Sequence, residues 1–124
     1  MTRYASELFE ARQIAFILDI PDALEGLKLS MEQRRNIYLI FKESINNLVK
    51  YSKCTEALVR VRVERRNVVL LVKDNGIGFD PGVATERNGL RNIRFRARDL
   101  NGTVDIQSSR GSGTSVTLQF PLML

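Results

Sequence analysis

The chain has 124 residues, enough for one domain with a closed core, and its 44% hydrophobic and 27% charged residues have the balance of a soluble globular protein. A single cysteine, Cys54, and the lack of any histidine exclude an internal disulfide and a Cys/His zinc site, so a metal would have to sit on oxygen ligands. The net charge of +5 suits an anionic partner such as a nucleotide, an acidic protein surface or nucleic acid; the apolar runs at 15–18 and 68–72 fall far short of the ~20 residues of a membrane helix, so neither a signal peptide nor a membrane span is expected.

In chain order, residues 6–12 form a short helix, 13–20 a strand with β-branched content, and 21–29 a loop interrupted by Gly26. Ser30-Met31-Glu32-Gln33 has the spacing of a capping box and opens a long helix reaching about Ser52. Ile37, Phe41, Ile45 and Leu48 recur at helical spacing along it and form one apolar stripe. Residues 56–64 alternate, with Ala57, Val59, Val61 and Val63 on one face, which predicts a half-buried strand. Arg65-Arg66-Asn67 turns the chain into a second strand at 68–73, whose unbroken hydrophobicity predicts burial on both faces. Residues 75–88, with three glycines and a proline, are expected to form a long mobile loop. Gly89 opens a second helix with Leu90, Ile93, Ala97 and Leu100 facing inward, ended by Asn101-Gly102. Strands at 103–108 and 114–120, joined by the Gly-rich turn 109–113, complete the chain. The pattern predicts a single α/β (α+β) domain over residues 1–124, a two-layer sandwich whose mixed sheet is covered on one face by helices.

Three features carry chemistry. Asp74-Asn75-Gly76-Ile77-Gly78-Phe79 follows a strand directly: a carboxylate there can accept from the exocyclic amine of adenine, while Gly76 and Gly78 let the backbone approach a ligand. Asp-Asn-Gly is also ordinary turn chemistry. Glu43 and Asn47, four residues apart, project from one face of the long helix with Lys50 close by, a ridge that could equally be a solvated surface. Arginines gather at 87, 91, 94, 96 and 98, but neither an aromatic ladder nor a nucleic-acid module accompanies them, so nucleic acid is not an expected partner.

Taken in order, the ridge, the Asp74 hexapeptide, Asn88-Gly89-Leu90 and Gly111-Ser112-Gly113-Thr114 resemble the ATP-binding domain of sensor histidine kinases, in the superfamily shared with DNA gyrase, Hsp90 and MutL. The stretches 41–51 and 89–97 fit the NarX/DesK-like group in particular. The resemblance implies a Bergerat-type ATP-binding fold with a largely antiparallel sheet and Mg-ATP as ligand. Asn47 would give its side-chain oxygen to Mg²⁺, Glu43 would act as the catalytic group on a water near the metal, and Lys50 would reach a phosphate. Asp74 would accept from adenine, Gly76 and Gly78 would shape the pocket wall, Gly89 and Leu90 would offer amides to the phosphates, and Thr114 would close the adenine side. Two departures concern the site: Tyr51 stands where a histidine is usual, as a nucleotide-contacting phenol, and Arg87 replaces a lid glycine, able to contact phosphate itself. The third is the absence of a phosphoacceptor histidine. The implied function is phosphoryl transfer to a histidine on a separate dimerisation segment of the full-length protein, with a response regulator downstream, a cytoplasmic location and no membrane contact by this domain. An anti-sigma-type serine kinase and a nucleotide-free interaction module are the alternatives.

Overall fold

A computed structural model describes residues 2–20, 29–78 and 90–122. Eight elements follow one another: α1 (Thr2–Ala11), β1 (Ala15–Asp19), α2 (Met31–Tyr51), β2 (Glu56–Glu64), β3 (Asn67–Asp74), α3 (Leu90–Asp99), β4 (Thr103–Ser108) and β5 (Thr114–Pro121). The strands form one sheet in the order β1-β2-β3-β5-β4, with β1 parallel to β2 and every other pair antiparallel. This is the expected mixed sheet. β3 is central, and its last residue, Asp74, sits between Ala57 of β2 and Thr114 of β5.

Local chemistry explains the element ends. The Ser30 side chain accepts from the Gln33 amide at 3.0 Å and the Gln33 side chain accepts from the Ser30 amide at 3.0 Å, so the expected capping box forms. At the other end of α2, Ser52 is the C-cap and its N–H donates to the Leu48 carbonyl at 3.2 Å. The β2–β3 hairpin turns on Arg65 and Arg66, both in the left-handed region (φ 49° and 64°), which matches the twist of a two-residue hairpin turn without a glycine.

The helices lie over one face of the sheet. Phe9 and Ala5 from α1, Ile37, Ile40, Phe41, Ile45 and Leu48 from α2, and Ile93 and Ala97 from α3 pack with Val59, Val61, Leu70, Val72, Leu118 and Phe120. Three expectations change. α1 begins at Thr2 and β1 is limited to Ala15–Asp19, because Gln13 takes a left-handed conformation (φ 57°) between them. Val63, next to the hairpin that ends its strand, is 44% exposed. β3 is not buried on both faces: Val68, Leu70 and Val72 are buried while Val69 and Leu71 are half-exposed, because only one side of the sheet carries helices. Of the loop expected at 75–88, residues 79–88 lie outside the described residues, as do the helix start at Gly89 and most of the 21–29 loop.

Candidate functional site at the end of the central strand

Asp74 is 7% exposed, with no cation bonded to it among the described residues. Its Oδ1 accepts from the Gly76 amide at 2.8 Å. Burial pushes its carboxyl above the ordinary carboxylate range, and backbone hydrogen bonds from Gly76 and Thr114 pull it partly back. A buried carboxylate held only by neutral amides keeps lone pairs for a further donor, which is the property an adenine amine would use.

The backbone following Asp74 is clamped from two sides. Asn75 Oδ1 accepts from the amides of Thr55 and Glu56 at 3.0 and 2.9 Å, and its Nδ2 donates to Thr55 Oγ1 at 3.0 Å, so this side chain ties the loop to the entry of β2. The Ile77 amide donates to the Ser52 carbonyl at 2.7 Å, and the Ile77 carbonyl accepts from the Gly111 amide at 2.6 Å. These contacts require glycine on both sides of Ile77. A Cβ on Gly76 would stand 2.1 Å from the Ser52 carbonyl oxygen; one on Gly78, already at φ +66°, would stand 2.0 Å from that of Ser109. The glycines therefore hold backbone against backbone and set the line of the loop.

Thr114 begins β5 opposite Asp74, and its Oγ1 lies 2.8 Å from Ser108 Oγ. An open cleft of about 540 Å³ runs past Asp74, Ser108, Gly113 and Thr114 and also touches Lys73 and Ser115. The C-terminal part of α2 reaches the same end of the sheet, because Ser52 carries the bond to Ile77. On that helix Glu43 and Asn47 are half-buried and Lys50 is exposed, so the ridge is not uniformly solvated. Asn47 Nδ2 is fully enclosed without a hydrogen-bond partner among the described residues. Its neighbour Asn46 is engaged elsewhere, its Oδ1 accepting from the Tyr4 hydroxyl at 2.6 Å. Among the described residues no three acidic, cysteine or histidine side chains cluster as a metal cage; an amide oxygen from Asn47 suits Mg²⁺, which takes few protein ligands and shares the rest with phosphates and water.

Arg87 and Gly89 lie outside the described residues. Leu90 is the first residue of α3 and Tyr51 the last of α2, with nothing described of their side chains. Sequence reasoning passed over Ser52, Asn75 and Ser108, which brace the loop and Thr114. Asn75 alone carried a signal, as the Asx residue of a turn; the others show their roles only once distant segments meet.

A profile of the family described as histidine kinase-, DNA gyrase B- and HSP90-like ATPase matches residues 32–124. The chain belongs to this family. Membership in an ATPase family implies ATP binding. Relatives include the sensor histidine kinase ComP of Bacillus subtilis, 33% identical over 97 residues covering 76% of this chain and 13% of ComP. The histidine-protein kinase/phosphatase DegS of the same organism is 33% identical over 104 residues, covering 81% of this chain and 27% of DegS. The chain thus spans a small part of the relatives it matches. In three dimensions the fold resembles the histidine kinase domain of the Erythrobacter litoralis EL346 blue-light activated histidine kinase, with a TM-score of 0.79 and 19% identity over 98% of this chain and 58% of that one. The Acinetobacter baumannii histidine kinase AdeS gives a TM-score of 0.76 at 19% identity over 99% of this chain and 64% of AdeS. No described helix is long and apolar enough to cross a membrane.

Proposed function

We propose that residues 1–124 form one ATP-binding catalytic domain of a two-component sensor histidine kinase, which presents Mg-ATP so that the γ-phosphoryl passes to a histidine on a separate dimerisation segment. The observation that carries this reading is Asp74: a buried carboxylate at the end of the central strand, bonded by backbone amides and by no cation among the described residues, and opposite Thr114. The single-domain reading is supported by α1 and β1, which lie before the family match yet contribute Phe9 and Ala5 to the common core and a strand to the common sheet.

In this reading Asp74 accepts from the adenine amine, Gly76 and Gly78 fix the wall beside it, and Thr114 closes the purine side. Asn47 offers its amide oxygen to Mg²⁺, which when bound neutralises phosphate charge. Glu43 acts on a nearby water, Lys50 reaches a phosphate, Tyr51 contacts the nucleotide, and Arg87 with the amides of Gly89 and Leu90 serves the phosphates. Catalysis of this kind is chiefly positioning and charge stabilisation. The chain has no histidine, so its acceptor lies on another segment, with a response regulator further on. The domain works in the cytoplasm, without contact to membrane or nucleic acid.

Calorimetric titration with ATP and GTP analogues in Mg²⁺ tests the site. Adenine is preferred by roughly 1–3 kcal/mol, because guanine presents an acceptor where Asp74 needs a donor; equal affinity for the two would remove the assignment. Incubation of the chain with ATP alone should leave it unlabelled, whereas fusion to the histidine-bearing segment should give an acid-labile, base-stable phosphohistidine. An acid-stable phosphoserine on a small partner would instead favour the anti-sigma-type kinase.

A further inference from the structure

Among the described residues, two polar atoms on α2 are enclosed without a hydrogen-bond partner: the Ser44 hydroxyl oxygen and Asn47 Nδ2. Ser44 is 4% exposed, so bulk water does not satisfy it. A helical serine usually escapes this cost by bonding the carbonyl four residues back. Ser52 does so, its hydroxyl donating to the Leu48 carbonyl, and Ser44 does not. Leaving either group unpaired is costly, and two such groups on neighbouring turns call for a common partner.

Spacing limits that partner. Residues three apart on a helix carry Cβ atoms about 5–6 Å apart on one face, a gap that a single oxygen making two hydrogen bonds of about 2.8 Å can bridge. The partner must accept from the Asn47 amide and also bond a hydroxyl. Water does both, and two enclosed polar groups meet the minimum for a stable internal water.

We infer that Ser44 and Asn47 Nδ2 share a buried water, and that through it Ser44 orients the Asn47 amide. The terminal torsion of an asparagine is otherwise broad. With Nδ2 tied inward, Oδ1 at the opposite end of the same planar group is directed away from the enclosed side, as a metal ligand must be. Asn46 provides the parallel: its amide is fixed directly by the Tyr4 hydroxyl. Ser44 is therefore a positioning residue, and this role rests on the reading of Asn47 as the Mg²⁺ ligand.

Two measurements on the 124-residue chain test the inference. In the nucleotide-free protein, Asn47 side-chain NH₂ resonances should show NMR cross-relaxation with a long-lived water, lost in Ser44→Ala. The gain in ADP affinity on replacing EDTA by Mg²⁺ should fall about fivefold in Ser44→Ala, the scale of one hydrogen bond, with the EDTA affinity unchanged. Absence of the water signal in the wild type, or an unchanged Mg²⁺ gain in Ser44→Ala, overturns the inference. Asn47→Ala separates the two levels: a Mg²⁺ gain that survives Asn47→Ala removes the metal role of Asn47, while the water contact is still decided by the NMR signal.

Discussion

The loop leaving β3 and the polar side of α2 meet at one end of the sheet, yet their polar groups are treated in opposite ways. After Asp74, the loop's amides and carbonyls are bonded to Ser52, Glu56 and Gly111, and the Asn75 side chain is bonded on both of its atoms. On α2, Asn47 Nδ2 and Ser44 Oγ have no protein partner among the described residues, and Lys50 is exposed. Asn47 lies five residues before Ser52, about 7.5 Å along the helix axis, so the two regimes are close neighbours. The difference teaches a division of labour. On the proposed reading, a flat, rigid base would be recognised by a wall whose bonds are made before the ligand arrives, whereas phosphates and a hydrated cation would be met by side chains left without protein partners among the described residues.

The largest effect should come from breaking the rigid side. Gly76→Ala drives a Cβ into the Ser52 carbonyl, a backbone atom that cannot swing away, and should destabilise the fold by about 3 kcal/mol in urea unfolding. Wild-type stability in this variant would mean that the loop yields and is not a fixed wall.

Asp74→Asn should act on affinity more than on folding. The asparagine oxygen still accepts from the Gly76 amide, while adenine affinity falls by roughly 1–3 kcal/mol in calorimetry. The pH dependence has a definite sign. Because burial raises the Asp74 carboxyl above its unfolded value of 3.8, its contribution to stability is fully present below that value and is lost as pH rises through the folded pKa. The stability of Asp74→Asn relative to wild type should therefore improve between acid and neutral pH, and a difference that worsens across that range contradicts a raised carboxyl.

The smallest effects distinguish the two adjacent asparagines. Asn46→Ala removes the acceptor of the Tyr4 hydroxyl and should cost about 1 kcal/mol of stability while leaving the Mg²⁺ dependence of ADP binding intact. Asn47→Ala should show the reverse, with stability nearly unchanged and the Mg²⁺ gain lost. An exchange of these outcomes would place the metal ligand one residue earlier and erase the contrast between the bonded loop and the open ridge.

The long helix, its capping box and its apolar stripe are legible in the sequence because a cap and an i, i+4 pattern are local facts. The hairpin and the β4–β5 pair are legible for the same reason, through alternation and short turns. The two-sided burial expected for β3 failed because a run of apolar residues reports affinity for a core but not how many faces the core covers. Asp74, Gly76, Gly78 and Thr114 were each visible as motif residues, while Ser108, lying within a plain strand, was not.

By itself the sequence determined the number and type of most elements and, through four ordered motifs, the family. Tertiary structure decided that β1 would lie parallel beside β2, which way each face of β3 would look, and that the Ser52 carbonyl would meet the Ile77 amide across 25 residues. It also decided which of two adjacent asparagines would be taken up by Tyr4. The physical reason is range: propensity, capping and periodicity act within a few residues, whereas burial and hydrogen-bond pairing depend on which distant segment arrives at the same place.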